Sequence, residues 1–189
     1  MATNRRIALA SQSPRRLQLL TGAGIEVVLV PSRVEPDLRP QGSGAEQALH
    51  SALEKLPYET HELVTLSADT VVHVSGECLG KPKDRTHATR MLTQLSGRAH
   101  HVTTAVAMRH AQGVSSFVVT STVHFRELSA GEIARYVASG EPMDKAGAYG
   151  IQGLGAGLIE RVEGSHTAVV GLPLGETLSA LADLGVHRQ

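Results

Sequence analysis

A chain of 189 residues with 41% apolar and 19% charged residues suits one globular domain, residues 1–189, with a sizeable core. Eighteen Lys and Arg balance eighteen Asp and Glu, and aromatics reach only 3%. The basic excess and the stacking platforms of a polymeric nucleic-acid binder are therefore both missing. One cysteine, Cys78, excludes an internal disulfide framework and a zinc site built on several thiolates. No apolar run approaches the ~20 residues of a membrane span, and Arg5-Arg6 precedes too short an apolar stretch for a secretion signal. A soluble, cytoplasmic protein without nucleic-acid or membrane partners is expected.

In chain order, the apolar run from Ile7 to Ala10 predicts a short buried strand that stops at Ser11-Gln12-Ser13-Pro14-Arg15-Arg16. Ser13 is a natural N-cap and Pro14 suits the first helical position, so a helix carrying Leu17, Leu19 and Leu20 begins there and ends at Gly22. The free N–H groups of that helix start, two serine hydroxyls and two guanidinium forks make a phosphate or polyphosphate site plausible, beside the plain alternative of a capped helix with two solvated arginines. Ile25 to Val30 predicts a buried strand, and Pro31 to Gly42 a loop. Ser43-Gly44-Ala45-Glu46 is a capping-box pattern for a helix running to about Leu56. Leu63 to Val74 predicts a strand with Ser67-Ala68-Asp69-Thr70 at its middle, followed by a turn at Ser75-Gly76-Glu77.

Gly80 to Asp84 reads as a loop feeding a helix that ends near Leu95. Residues 101–108 and 114–125 predict a long antiparallel hairpin, with Val102, Thr104, Val106 and Met108 on one face. A second capping box, Ser129 to Glu132, opens a short helix that Gly140 ends. The glycine-rich segment from Glu141 to Gly157 resists assignment, Leu158 to Val162 predicts a strand, and Leu172 to Leu184 a closing helix. The pattern is a mixed α/β sheet with helices packed on it.

Asp69 stands out chemically, because a carboxylate inside an apolar strand must be paired, metal-bound or placed at a cleft. Glu35 and Asp37 offer hard-cation ligands or ordinary surface acidity. Lys81 and Lys83 read first as solvated loop charges, Lys55 is equally explained as a cation at a helix C-terminus, and Arg126 is either a clamp or a surface charge. In Asp144-Lys145-Ala146-Gly147-Ala148-Tyr149-Gly150-Ile151-Gln152-Gly153, three glycines imply close backbone approach, while Lys145 and Gln152 supply a cation and an amide that both donates and accepts. His100 and His101 would face opposite sides of a strand, and Cys78 reads as a packed thiol.

These stretches, with Gly80-Lys81-Pro82, Ser96-Gly97-Arg98-Ala99-His100, Phe125-Arg126-Glu127-Leu128 and Gly171-Leu172-Pro173-Leu174, resemble the Maf family of nucleotide pyrophosphatases in order and across nearly the whole chain. The resemblance implies an elongated mixed sheet flanked by helices, with two lobes around a central cleft, similar to inosine triphosphatases. It implies hydrolysis of a nucleoside triphosphate to the monophosphate and pyrophosphate with a divalent cation, magnesium or manganese. The family's acidic catalytic position falls on Asp69 and its phosphate arginine on Arg15, with further polar positions on Ser13, Glu35, Lys55, Thr70, Lys81 and Gln152. Glu35 and Asp69 are the expected metal ligands.

Gln12, Ser67, Leu56, His124 and His166 depart from the family's usual residues, and Gln12 bears on the phosphate loop. Within the family, Thr70, Lys145 and Gln152 match the dTTP/UTP branch. The 7-methyl-GTP branch tends there to glutamine, cysteine and glutamate, and a glutamate would suit a cationic base that a lysine would repel. The rival readings are that branch, an inosine triphosphatase-like enzyme, and a non-catalytic inhibitor of septum formation. Retention of the full polar set favours an enzyme over the last. The oligomeric state stands open between monomer and homodimer.

Overall fold

A computed structural model describes residues 5–34, 42–58 and 62–187. Strand β1 (Arg6–Leu9) leads into helix α1 (Pro14–Gly22), then strand β2 (Glu26–Leu29) and helix α2 (Gly44–Lys55). Strands β3 (Thr65–Val74) and β4 (Glu77–Leu79) form a hairpin before helix α3 (Arg85–Leu95). Two long strands follow, β5 (Ala99–His110) and β6 (Gly113–Phe125), then helix α4 (Ala130–Ala138). Three short 3-10 turns (Glu141–Asp144, Ala146–Ala148, Gly153–Leu158) carry the chain to β7 (Ile159–Glu163), α5 (His166–Val170) and α6 (Leu174–Asp183). The class expected from the sequence, a mixed α/β sheet with flanking helices, is the class observed. No helix among the described residues is long and apolar enough to cross a membrane.

The strands form one seven-stranded sheet in the order β2-β1-β3-β5-β6-β7, with β4 also on β3. β1 runs parallel to β2 and β3, while the remaining pairs are antiparallel. One edge of β3 is filled by β5 from Thr65 to His73. The other edge is shared: β1 pairs with Thr65 and Leu66, and β4 pairs with Val72 to Val74. Between those two partners the edge of β3 stands open, and Asp69 and Thr70 fall in the gap.

The gap also divides the core. On the face carrying the even-numbered residues of β3, Leu66 and Ala68 pack with Ile7, Leu9, Leu20, Met108, Leu172 and Leu181. Val72 and Val74 pack on the same face with a second set that includes Leu79, Leu92, Leu95, Phe125 and Tyr149. Thr70 lies between the two clusters, so the lobes meet where the sheet forks. On the opposite face α2 lays Ala48, Ala52 and Leu56, spaced at one helical turn, over Val71, Ala105 and Ala107. Its capping box forms as the sequence predicts, with the Ser43 and Glu46 side chains each bonding the other's backbone N–H.

Three local features differ from the sequence reading. The apolar run at residues 25–30 is an edge strand that pairs only with β1, so Leu29 is 57% exposed instead of buried. β4 is too short for a periodic signal; Ser75 and Gly76, both at positive φ, turn the chain into it. α5 and the 3-10 turns lie in segments whose glycines mask helical periodicity.

Candidate active site

A cleft of about 840 Å³ opens at the fork in the sheet. It is lined by residues 10–16, Lys55, Asp69, Thr70, Val72, Lys81, much of 141–153 and residues 169–171. Of the residues singled out in the sequence, Ser13, Arg15, Lys55, Asp69, Thr70, Lys81, Lys145 and Gln152 all line this one cavity. Glu35, and with it the second expected metal ligand, lies outside the described residues. Six cationic side chains (Arg15, Arg16, Arg33, Lys55, Lys81, Lys145) face three carboxylates (Asp69, Glu141, Asp144) across the cleft. A chain with no net charge thus concentrates positive charge where an anion would bind.

Asp69 and Thr70 point to opposite faces of β3, as the period of a strand requires. Asp69 turns toward α2, where Lys55 Nζ donates to its Oδ1 at 2.6 Å. Lys55 is only 6% exposed, and its placement at the last turn of α2 also sets a cation at a helix C-terminus. One turn earlier, the main-chain oxygen of Ala52 accepts from Ser67 Oγ at 2.7 Å, fixing the helix against the strand just below the pair. Ser67 is fully buried, and its hydroxyl is the tether.

On the other face Arg16 is the organising side chain. Its guanidinium donates to the main-chain oxygen of Gly171 at 2.8 Å, to Ser11 Oγ at 3.1 Å and to Thr70 Oγ1 at 3.2 Å. Thr70 Oγ1 meets Thr104 Oγ1 at 2.9 Å, and Thr104 donates to the main-chain oxygen of Ala168 at 2.8 Å. Arg16 was readable in the sequence only as one of two adjacent arginines. The missed signal was its helical spacing from Leu20, which puts both side chains on the buried face of α1. Ser13 occupies the N-cap position without a side-chain cap bond. Its own N–H donates instead to Ser11 Oγ at 3.2 Å, leaving the Ser13 hydroxyl beside the cleft.

Arg15, one residue on, faces the cleft and meets Asp144 of the opposite wall at 3.6 Å. Asp144 also accepts from Lys145 Nζ at 2.6 Å. Burial pushes the Asp144 carboxyl up, but the hydrogen bond and charge of Lys145, with Arg15, outweigh it and hold the group below its ordinary range. Lys145 Nζ donates as well to the main-chain oxygen of Glu141 at 2.6 Å. Lys81 sits exposed on a loop whose Gly80 oxygen accepts from Gly147 N–H at 3.1 Å, so two lining segments are joined. Arg126, undecided in the sequence, is outside the cleft and is structural: it bonds Glu132 at 2.6 Å and the Gly157 oxygen at 2.7 Å.

Tyr149, buried at the cleft wall, is seated by His100, whose Nε2 lies 2.7 Å from the phenol oxygen, and by edge-to-face contact with His100 and Phe125. Burial, helped by His101, pushes His100 from its ordinary 6.5 down to about 4. Between those values the unfolded chain holds a proton that the folded chain refuses, so stability falls as pH drops through the window. The loss is on the order of 3 kcal/mol from pH 7 to pH 4. In thermal melts, His100→Gln should flatten the slope between pH 6.5 and 4.5; an unchanged slope would assign the titration elsewhere.

A family model described as "Maf-like protein" matches residues 6–184. This chain belongs to the Maf family. It is 45% identical over 188 residues to a "dTTP/UTP pyrophosphatase" of Hahella chejuensis, covering 96% of this chain and 94% of that one. A protein of the same description from Shigella dysenteriae is 44% identical over 185 residues, with coverage of 96% and 94%. A "Nucleoside triphosphate pyrophosphatase" of Shigella flexneri is 44% identical, also over 185 residues and with the same coverage. Of the positions the sequence reading set apart, Gln12 lines the cleft of this Maf chain, while Ser67 and Leu56 are buried in packing against or beside α2.

Proposed function

We propose that this protein hydrolyses dTTP and UTP to the nucleoside monophosphate and pyrophosphate. The observation that carries the reading is the carboxylate of Asp69, half-buried at the gap in β3 and lining a cleft whose other charges are mainly cationic. The names of the relatives point the same way. Water, positioned by Asp69, attacks the α-phosphorus; its proton passes to the carboxylate as the α–β phosphoanhydride bond breaks and pyrophosphate leaves. Lys55 engages one carboxylate oxygen, which holds the side chain in one orientation and leaves the other oxygen for the water. Arg15, Lys81 and Lys145 neutralise charge that grows on the leaving pyrophosphate. For the two that meet Asp144, the substrate's phosphates replace that carboxylate.

Magnesium or manganese is the kind of cation that carboxylate and phosphate oxygens would take. Among the described residues no cluster of three His, Cys, Asp or Glu makes a ready cage. A hard cation held by Asp69 together with substrate phosphates suits that arrangement. When bound, such an ion polarises the phosphoryl oxygens. Gln152, exposed at the cleft edge, matches uracil or thymine because its amide can accept from the ring N–H and donate to a ring carbonyl.

The test is pyrophosphate release from UTP, dTTP, CTP, GTP, ITP and 7-methyl-GTP, with magnesium or manganese and with a chelator. The highest kcat/KM is expected for UTP and dTTP, with activity lost on chelation. Preference for 7-methyl-GTP or ITP would overturn the base assignment, and inertness toward the whole panel would overturn the pyrophosphatase reading.

A further inference from the structure

The six residues from Gly150 to Gly155 carry Gln152 past the cleft, outside any strand ladder, so their backbone N–H groups must find partners elsewhere. Two side chains supply partners for three of the six. Gly150 N–H donates to the Tyr136 hydroxyl at 3.2 Å. Leu154 and Gly155 N–H donate to the two carboxylate oxygens of Glu141, at 3.0 and 2.9 Å. The Tyr136 hydroxyl closes the circuit by donating to Glu141 Oε1 at 3.0 Å. One phenol–carboxylate pair therefore holds the main chain on both sides of Gln152.

The fit leaves no slack. Gly153 sits at φ +70°, where a Cβ would stand 2.8 Å from Glu141 Oε2. A Cβ at Gly155 would stand 2.6 Å from the Tyr136 hydroxyl and 2.2 Å from the Gly150 oxygen. Tyr136 is anchored in turn by its buried place on α4, beside Ile133 and Val137 in the second core cluster. The Gln152 side chain makes no hydrogen bond to another described residue, so its aim is inherited from this backbone.

We infer that Tyr136 and Glu141 are positioning residues for base selection, acting through Gln152 by fixing the loop that presents its amide. The inference rests on the reading above, that a pyrimidine nucleotide occupies the cleft and meets Gln152. An amide discriminates between bases only when its donor and acceptor are held in place; a mobile one pairs indifferently with many partners. Loss of the pair thus degrades the choice of nucleotide, with its effect read in KM for the preferred substrates.

The experiment measures kcat and KM for UTP, dTTP, CTP and GTP in Tyr136→Phe, Glu141→Gln, Gln152→Ala and the double variant Glu141→Gln/Gln152→Ala, with melting temperatures alongside. Tyr136→Phe keeps the buried ring, so it tests the hydroxyl in a folded protein even if Glu141→Gln fails to fold. Each single variant should raise KM for UTP about tenfold and cut the UTP-to-GTP ratio of kcat/KM by a similar factor. The double variant should discriminate no worse than Gln152→Ala alone, because both changes act on one amide. If Gln152→Ala flattens the ranking while Tyr136→Phe and Glu141→Gln preserve it, the inference is overturned and the base reading stands. If Gln152→Ala itself preserves the ranking, the base reading falls and takes the inference with it.

Discussion

Asp69→Asn is expected to lower kcat for UTP by ~10³-fold or more while the protein stays folded. A positioned general base contributes ~10²–10⁴-fold, and loss of the carboxylate's charge toward a divalent cation adds to that. The fold should survive because the asparagine amide oxygen can still accept from Lys55 Nζ, the one hydrogen bond through which Asp69 is tied to α2. The backbone of β3 there is held by its ladder with β5, which the side chain does not touch. Steady-state kinetics and a thermal melt on the same preparation decide it. Turnover within a few-fold of the unsubstituted enzyme would remove Asp69 from the role of base.

The adjacent arginines separate binding from architecture. Arg16→Ala should drop the melting temperature by about 10 °C, because a hydrogen bond to a charged group contributes roughly 1.5–3 kcal/mol, a buried acceptor left unpaired costs about 1–3 kcal/mol more, and each kcal/mol shifts a chain of this size by about 2–4 °C. The change strands the Gly171 oxygen and leaves Ser11 Oγ with only the Ser13 N–H and Thr70 Oγ1 with only Thr104 among the partners described above. Arg16→Lys should recover little, since one ammonium cannot span three acceptors set around a planar fork. Arg15→Ala, by contrast, should cost kcat/KM through lost phosphate contact and leave the melt nearly unmoved, as its partner Asp144 is 65% exposed and keeps Lys145. Melting curves that fall equally for both would refute the division.

Much of this was legible in residue types and spacing. The capping boxes at Ser43 and Ser129 formed as written because their signal is local: four residues contain both donors and both acceptors. The strand around Asp69 was legible because apolar residues recur along all ten of its positions. That Asp69 and Thr70 lie at a gap between β1 and β4 was not, since strand order is a long-range property and β4 is three residues long. Glu141 went unremarked because its work is done on N–H groups thirteen and fourteen residues away, a reach no local pattern encodes. Arg16 hid behind Arg15, which carries the same charge and faces the cleft directly.

The hydrogen bond from Arg16 to Gly171 spans 155 positions of sequence. Joining points so far apart costs chain entropy that nearby contacts do not incur. As the polypeptide leaves the ribosome, the helix bearing Arg16 must wait for almost the entire remaining chain before its guanidinium can reach that oxygen. An N-terminal fragment that stops short of Gly171 lacks part of the cleft wall, however well its own strands pair. A nucleotide that bridges the α1 loop and the far wall closes the same long circuit, and its binding energy counts toward the cohesion of both chain ends at once.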